Sequence, residues 1–301
     1  MKQDYSGIGA QSPVKTLTPG EEPGSWTTVI RPRHPWLHLD VGELWRYRDL
    51  IRLFVRRDFV AQYKQTVLGP LWFFLQPLFT SLVFTLVFGR IAKIPTDGVP
   101  DFLFYLSGTV CWGYFAGCLT ETSDTFVKNA AIFGKVYFPR LVVPISLVLS
   151  NIFKFLIQFG LFLVFLIYYY QAGAAISPTP WVLALPLLLL QMALLGIGCG
   201  ILVSSMTTKY RDLSLVVTFG VQLWMYATPV VYPLSQIPTQ YRPFFVLNPM
   251  VAVVEGFRLA FLGVSSLTPE FVVASLVMTL ALLFAGLTLF SRVEKTFMDT
   301  V

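Results

Sequence analysis

Long stretches without an ionisable side chain alternate with short basic segments along this chain. Nothing charged lies between Lys64 and Arg90 (25 residues), Asp101 and Glu121 (19), or Asp212 and Arg242 (29). Glu270 and Arg292 enclose 21 more, and the 54 residues between Lys154 and Lys209 are broken by the polar segment 171–180. About 20 apolar residues cross a hydrocarbon core of roughly 30 Å as a helix. The pattern therefore predicts six transmembrane helices, near 68–89, 102–121, 142–170, 181–205, 213–232 and 271–291. These are continuous apolar runs rather than alternating ones, which argues against a closed barrel.

Shorter patterns fill the connections. Residues 43–66 read as an amphipathic helix: Leu44, Tyr47, Ile51 and Phe54 recur at helical spacing, while Arg48, Asp49, Arg52 and Arg56 gather opposite. A basic polar face of this kind predicts a helix lying in the membrane interface. Gly69-Pro70 would then turn the chain from lying flat to crossing, because glycine tolerates unusual backbone angles and proline disfavours helix just before it. In the segment 122–140, Asp124 is a candidate N-cap for a short helix ended by Gly134. Phe126, Ile132, Phe133, Tyr137 and Phe138 are costly to leave in water there, which predicts a partner surface. Beyond the fifth run, two short re-entrant helices are expected at 237–247 and 249–262. The second starts at Asn248-Pro249, stops at Gly263, and carries Glu255 and Arg258 three apart on one face.

Composition supports the membrane reading. The chain of 301 residues is 55% hydrophobic and 13% charged, against about a quarter charged in soluble domains. The basic residues are unevenly placed. Ten precede the first span and Lys128, Lys135, Arg140, Lys209, Arg211, Arg292 and Lys295 share their side, whereas the other side has Arg90, Lys93, Arg242 and Arg258. By the positive-inside rule both termini are cytoplasmic, and the net charge of +6 reflects topology rather than nucleic acid. The domain plan is a tail (1–40) rich in Pro, Gly, Ser and Thr, an interface helix (41–66) and a six-span region (67–301). The tail has no apolar segment of signal-peptide type. Cys111, Cys118 and Cys199 all fall in spans, and His34 and His38 have no third ligand nearby, so no metal site is indicated.

Candidate chemistry is sparse. None of the sixteen acidic residues falls in the middle of a predicted span, which disfavours ion-coupled carriers and metal-dependent glycosyltransferases. The GxxxxGK[ST] phosphate loop is missing, so the chain cannot bind ATP by that route, and transport without an internal energy source points to a separate motor subunit. Lys154 is the one cation inside a span. It either meets an anionic substrate group or cavity water, or extends to the cytoplasmic edge. Aromatic residues, 16% of the chain, crowd the first, second and fifth spans. Trp72, Phe73, Trp112, Tyr114, Trp224 and Tyr226, with Lys154, are the candidates for a pathway on which sugar rings could stack.

Four separated blocks carry a family likeness: YKQTVLGPLWFFLQPL (63–78), GKVYFPRLVVP (134–144), KYRDLSLVVTFGVQLWMYATPVVYPLSQIP (209–238) and LNPMVAVVEGFR (247–258). They resemble the membrane subunits of ABC-type polysaccharide exporters, which move lipid-linked O-antigen, teichoic acid or related glycans. The resemblance runs from about Trp26 to the C-terminus. It rests on Lys64, Gln65, Gly69, Pro70 and Gln76 in the first block and on Tyr137, Pro139 and Arg140 in the second. Tyr210, Arg211 and Asp212 carry the third, and Asn248, Pro249, Glu255, Gly256 and Arg258 the fourth. It implies a homodimer of this chain in the bacterial plasma membrane, served by two copies of a cytoplasmic ABC ATPase that holds the ATP and Mg, with no cofactor in this chain. It also implies that 43–66 is the interface helix and 125–135 the helix that docks on the motor. Phe126, Phe133, Lys135, Tyr137 and Arg140 are then the docking residues, and Asn248, Glu255 and Arg258 belong to an external gate. The substrate implied is an undecaprenyl-linked polysaccharide. The competing reading is a membrane-bound glycan-modifying or lipid-linked sugar transferase, which would need clustered carboxylates near one membrane face.

Overall fold

Every regular element is helical in the computed structural model, which describes residues 41–63, 69, 71–207, 210 and 212–300. The tail with Trp26, His34 and His38 lies outside the described residues, as do Lys64, Gln65, Pro70, Lys209 and Arg211. In chain order the elements begin with α1 (Val41–Arg46), α2 (Arg48–Tyr63) and α3 (Leu71–Phe84), the last extended by π-helical turns over Thr85–Ile91. Then come α4 (Asp101–Ser123), α5 (Thr125–Phe133), α6 (Val142–Gln171) and α7 (Leu185–Thr207). They are followed by α8 (Leu213–Tyr226), α9 (Arg242–Val246), α10 (Pro249–Leu262) and α11 (Pro269–Thr300).

Five helical segments are long and apolar enough to cross a membrane: Leu71–Ile91, Asp101–Ser123, Val142–Gln171, Pro180–Thr207 and Pro269–Glu294. Their bounds lie within about a turn of five of the six runs expected above. The run expected at 213–232 differs. It is helical only over the 14 residues Leu213–Tyr226, about 21 Å at 1.5 Å per residue, short of the hydrocarbon thickness. Residues 227–230 form turns instead, and Val230 N bonds back to Thr228 O at 2.7 Å. The segment 237–247 is not one helix either. Prolines at 238 and 243 lack the amide needed inside a helix, so the chain makes a turn (Tyr241 N to Pro238 O, 2.9 Å) before the five-residue α9.

Helix α10 begins and ends where the residues signal it. The Asn248 side chain accepts from Met250 N at 3.1 Å, and Gly263 closes the helix with φ +76°, the left-handed region that favours glycine. Gly69 has φ +44°, a backbone conformation that favours glycine. Helix α5 occupies its expected limits, but Asp124 does not cap it. Its carboxylate is drawn to Lys128 at 2.9 Å instead.

The core centres on α4, which is buried over most of its circumference by α3, α6, α7, α8 and α10. Helices α7 and α11 approach until the backbones nearly touch: a Cβ on Gly198 would lie 2.8 Å from Leu283 N and Cα, and one on Gly286 would lie 2.4 Å from Gly198 O. Small residues permit such approach between membrane helices, where dispersion and not water exclusion drives association. Because the obstructing atoms are backbone, Gly198→Ala is expected to force the helices apart at a cost of about 1–3 kcal/mol. The check is the thermal unfolding temperature of the detergent-solubilised protein, which should fall, while Gly160→Ala, open within 4 Å, should leave it unchanged.

A second cluster joins α1 and α2 to the bundle. Phe54, Phe126, Phe133, Phe138, Val142 and Phe290 are buried together, with Leu44, Tyr47, Leu50 and Ile51 packed against them. Part of the apolar face read as membrane-facing is therefore covered by protein, chiefly α6 and Phe138 just before it. The two-sided pattern of an amphipathic helix does not say whether lipid or protein covers its apolar side.

Candidate functional site

A cavity of about 580 Å³ opens between α3, α4, α6 and α8. Its polar walls come from helical spacing. On α6, Asn151, Lys154 and Gln158 fall at i, i+3 and i+7, so they form one stripe. On α4, Gly113, Gly117 and Glu121 recur every fourth residue and face that stripe: positions for Cβ atoms at Gly113 and Gly117 would lie 3.2 Å from Gln158 Oε1 and 2.8 Å from Asn151 Oδ1. The two glycines thus leave room for the amide side chains. Thr80 and Gln76 of α3, Thr109 and Thr120 of α4, and Thr218 and Gln222 of α8 line the remainder.

At one end the Lys154 ammonium donates to Glu121 Oε1, and Asn151 Nδ2 donates to Glu121 Oε2 at 2.6 Å. Lys154 also stands 6.0 Å from the Phe73 ring centroid, within cation–π range. The pair is 18% and 28% exposed, so it borders the cavity. Both readings of Lys154 left out its partner: Glu121 is one helix away and answers the charge.

Among the pathway candidates, Phe73, Trp112, Tyr114 and Lys154 all line this cavity. Trp224 stands behind it, edge-on to Trp112 at 6.3 Å and to Phe115 at 5.2 Å, with its Nε1 donating to Asn248 Oδ1 at 3.1 Å. Trp72 and Tyr226 do not line it; both have exposed side chains. Sequence reasoning passed over Asn151, Gln158 and Gln222 and put Glu121 only at a span's end. The i, i+3, i+7 spacing on α6 was the available signal.

Of the three residues assigned to an external gate, Glu255 and Arg258 are buried and Asn248 is partly buried, and all three bond neighbouring segments. Arg258, 1% exposed, donates to Pro229 O (2.6 Å), Val230 O (2.9 Å) and Glu255 Oε1 (3.4 Å), and its guanidinium lies 3.6 Å from the Phe104 ring centroid. Glu255 Oε2 accepts from Ser265 Oγ and Ser266 N at 3.1 and 3.2 Å. Asn248 Nδ2 donates to Ala227 O and Thr228 Oγ1 at 3.1 and 2.9 Å. Together they fasten α10 to α4 and to the turns after α8.

The docking residues divide as well. Phe126 and Phe133 are enclosed in the second cluster, where Phe126 stacks on Phe290 at 4.6 Å. The bare aromatic surface expected of them is covered by the chain itself, because α5 lies along α7 and turns these rings inward. Lys135 and Tyr137 are exposed, Tyr137 to 84%. Arg140 is half-buried and bonds Glu294: its Nη1 reaches the carbonyl, and its backbone N reaches Oε1 at 3.4 Å. Burial lowers the Arg140 pKa, and the Glu294 charge opposes that shift.

A model of the ABC-2 type transporter family matches residues 49–262. The chain is 27% identical to the O-antigen export system permease protein RfbA of Klebsiella pneumoniae, covering 83% of this chain and 94% of that protein. It is 28% identical to the protein of the same name from Myxococcus xanthus, covering 87% and 98%. The polysialic acid transport protein KpsM of Escherichia coli is 22% identical, over 81% and 93%.

Proposed function

Because the chain belongs to the ABC-2 type transporter family, we propose that it is the transmembrane subunit of an ATP-driven exporter moving an undecaprenyl-linked polysaccharide outward across the bacterial plasma membrane. Two copies of a cytoplasmic ABC ATPase, carrying ATP and Mg, drive two copies of this chain. The polysaccharide-export roles in the relatives' names support a glycan cargo. The observation that carries the reading is the cavity itself, with amides, hydroxyls and aromatic rings lining a space among otherwise apolar helices, and its one ammonium, Lys154, already answered by Glu121. Hydroxyl-rich sugar rings need such groups to exchange hydrogen bonds without a strongly held charge.

Six crossings with both termini cytoplasmic complete the proposed topology. Helix α8 and the turns 227–232 form the fifth, and α9 and α10 lie at the external face. Short or irregular backbone is tolerated at membrane depth where protein surrounds it, and Asn248 and Arg258 bond the carbonyls of residues 227, 229 and 230. A glycan-modifying enzyme is less well supported, since among the described residues no three acidic, His or Cys side chains come together.

The motor contact falls on the exposed edge of the α5 segment, Val127, Lys135, Val136 and Tyr137. Affinity capture of the co-expressed ATPase is expected to drop at least about tenfold for a Lys135→Glu, Tyr137→Asp double variant, the loss of a single strong interface residue, while the chain remains in the membrane. Undiminished capture would remove this docking surface, and nucleotide hydrolysis by the purified chain alone would remove the division of labour.

A further inference from the structure

We propose that a groove between α2 and α6 holds one anionic phospholipid, with its acyl chain against the helices and its phosphate on Arg56. The groove has a volume of about 530 Å³, and its walls are Ile51, Val55 and Phe59 of α2 and Leu149, Ile152 and Phe153 of α6. Phe59 and Phe153 meet edge-on at 5.6 Å. Both walls are helical, so neither offers free backbone groups to pair with an extended peptide, whose amides would be left unsatisfied. A hydrocarbon chain has no such requirement.

The rim supplies the headgroup's counter-charge. Arg52 and Arg56, one turn apart, border the groove. Arg52 bonds Asp49 at 3.1 Å and Arg57 bonds Asp58 at 2.8 Å, whereas Arg56 has no ion pair among the described residues. Asp49 answers Arg52, which leaves Arg56 on the rim to meet the negative charge of a phosphodiester headgroup. A guanidinium can bond two phosphate oxygens at once. The site is separate from the cavity between α3, α4, α6 and α8 and rests only on α2 lying at a membrane surface.

The test reconstitutes the full chain in nanodiscs containing phosphatidylglycerol or phosphatidylcholine that carries a photoactivatable group on one acyl chain, and maps adducts by mass spectrometry. Phosphatidylglycerol is expected to label segments 51–59 and 149–153 at least about five-fold more than phosphatidylcholine, the preference set by one basic residue near a membrane surface. Arg56→Glu should abolish that preference, Arg56→Gln should reduce it, and Arg56→Lys should keep it, each with an unchanged elution profile. Equal labelling by the two lipids, or indifference to all three substitutions, would make the groove ordinary lipid annulus and overturn the proposal. Displacement of the label by equimolar polyprenyl diphosphate would also overturn it, because the groove would then serve the carrier lipid.

Discussion

Arg258→Met is expected to destabilise the protein by about 3–5 kcal/mol, the cost of removing one partner of an enclosed ion pair. The substitution strips Glu255 of its counter-ion, leaves the carbonyls of Pro229 and Val230 without their donor, and empties the space over Phe104. Methionine fills part of the volume but replaces none of those bonds. Thermal unfolding of the detergent-solubilised chain should show the loss. A Glu255→Met, Arg258→Met double variant should recover part of it, since the stranded carboxylate is gone. Recovery is incomplete because Ser265 Oγ and Ser266 N lose their acceptor. Unfolding of Arg258→Met at the parent temperature would show that this side chain does not fasten α10 to α4.

Gly117→Leu is expected to reduce surface glycan to about a tenth or less while the protein still accumulates in the membrane. A Cβ at Gly117 would stand 2.8 Å from Asn151 Oδ1, closer than such contacts allow, so Asn151 must swing away from Glu121. The leucine body would then occupy the cavity beside the Lys154–Glu121 pair. Tenfold corresponds to about 1.4 kcal/mol on the limiting step, a modest demand for an obstruction on the route. Gly113→Ala is the contrasting case. Its Cβ would meet only the far end of Gln158 at 3.2 Å, which can turn aside, and export should stay near the parent level. Surface glycan is read with an antibody or lectin, normalised to membrane protein. If Gly117→Leu exports normally, the cavity is not on the route.

How much of this was visible in the residues varies element by element. Five apolar runs became five long helices, because a run's length against the hydrocarbon thickness is a local property. The same reasoning overextended the fifth run to 232, since an apolar composition does not distinguish helix from turns whose carbonyls are capped by another segment's arginine. Helix α10 was legible to the residue through Asn248 and Gly263, whose signals act within a turn of backbone. Lys154 was noticed and Glu121 was not connected to it, 33 positions earlier in the chain. The aromatic residues of α5 looked like a partner's surface because composition registers that a ring is costly in water, and is silent on which neighbour covers it.

The sequence by itself determined that this protein is an all-helical membrane chain, where its long apolar helices run, where α10 starts and stops, and to which transporter family it belongs. Each of these depends on run length, backbone preference or residue order, which are properties of neighbouring positions. Only the tertiary structure decided that Asn151, Lys154 and Gln158 face Gly113, Gly117 and Glu121 across a cavity, that Arg258 is a buried tie, and that Phe126 and Phe133 turn inward. Those outcomes depend on which helix faces meet. Packing of the whole chain selects among faces that are nearly equal in local energy, and no stretch of residues carries that choice alone.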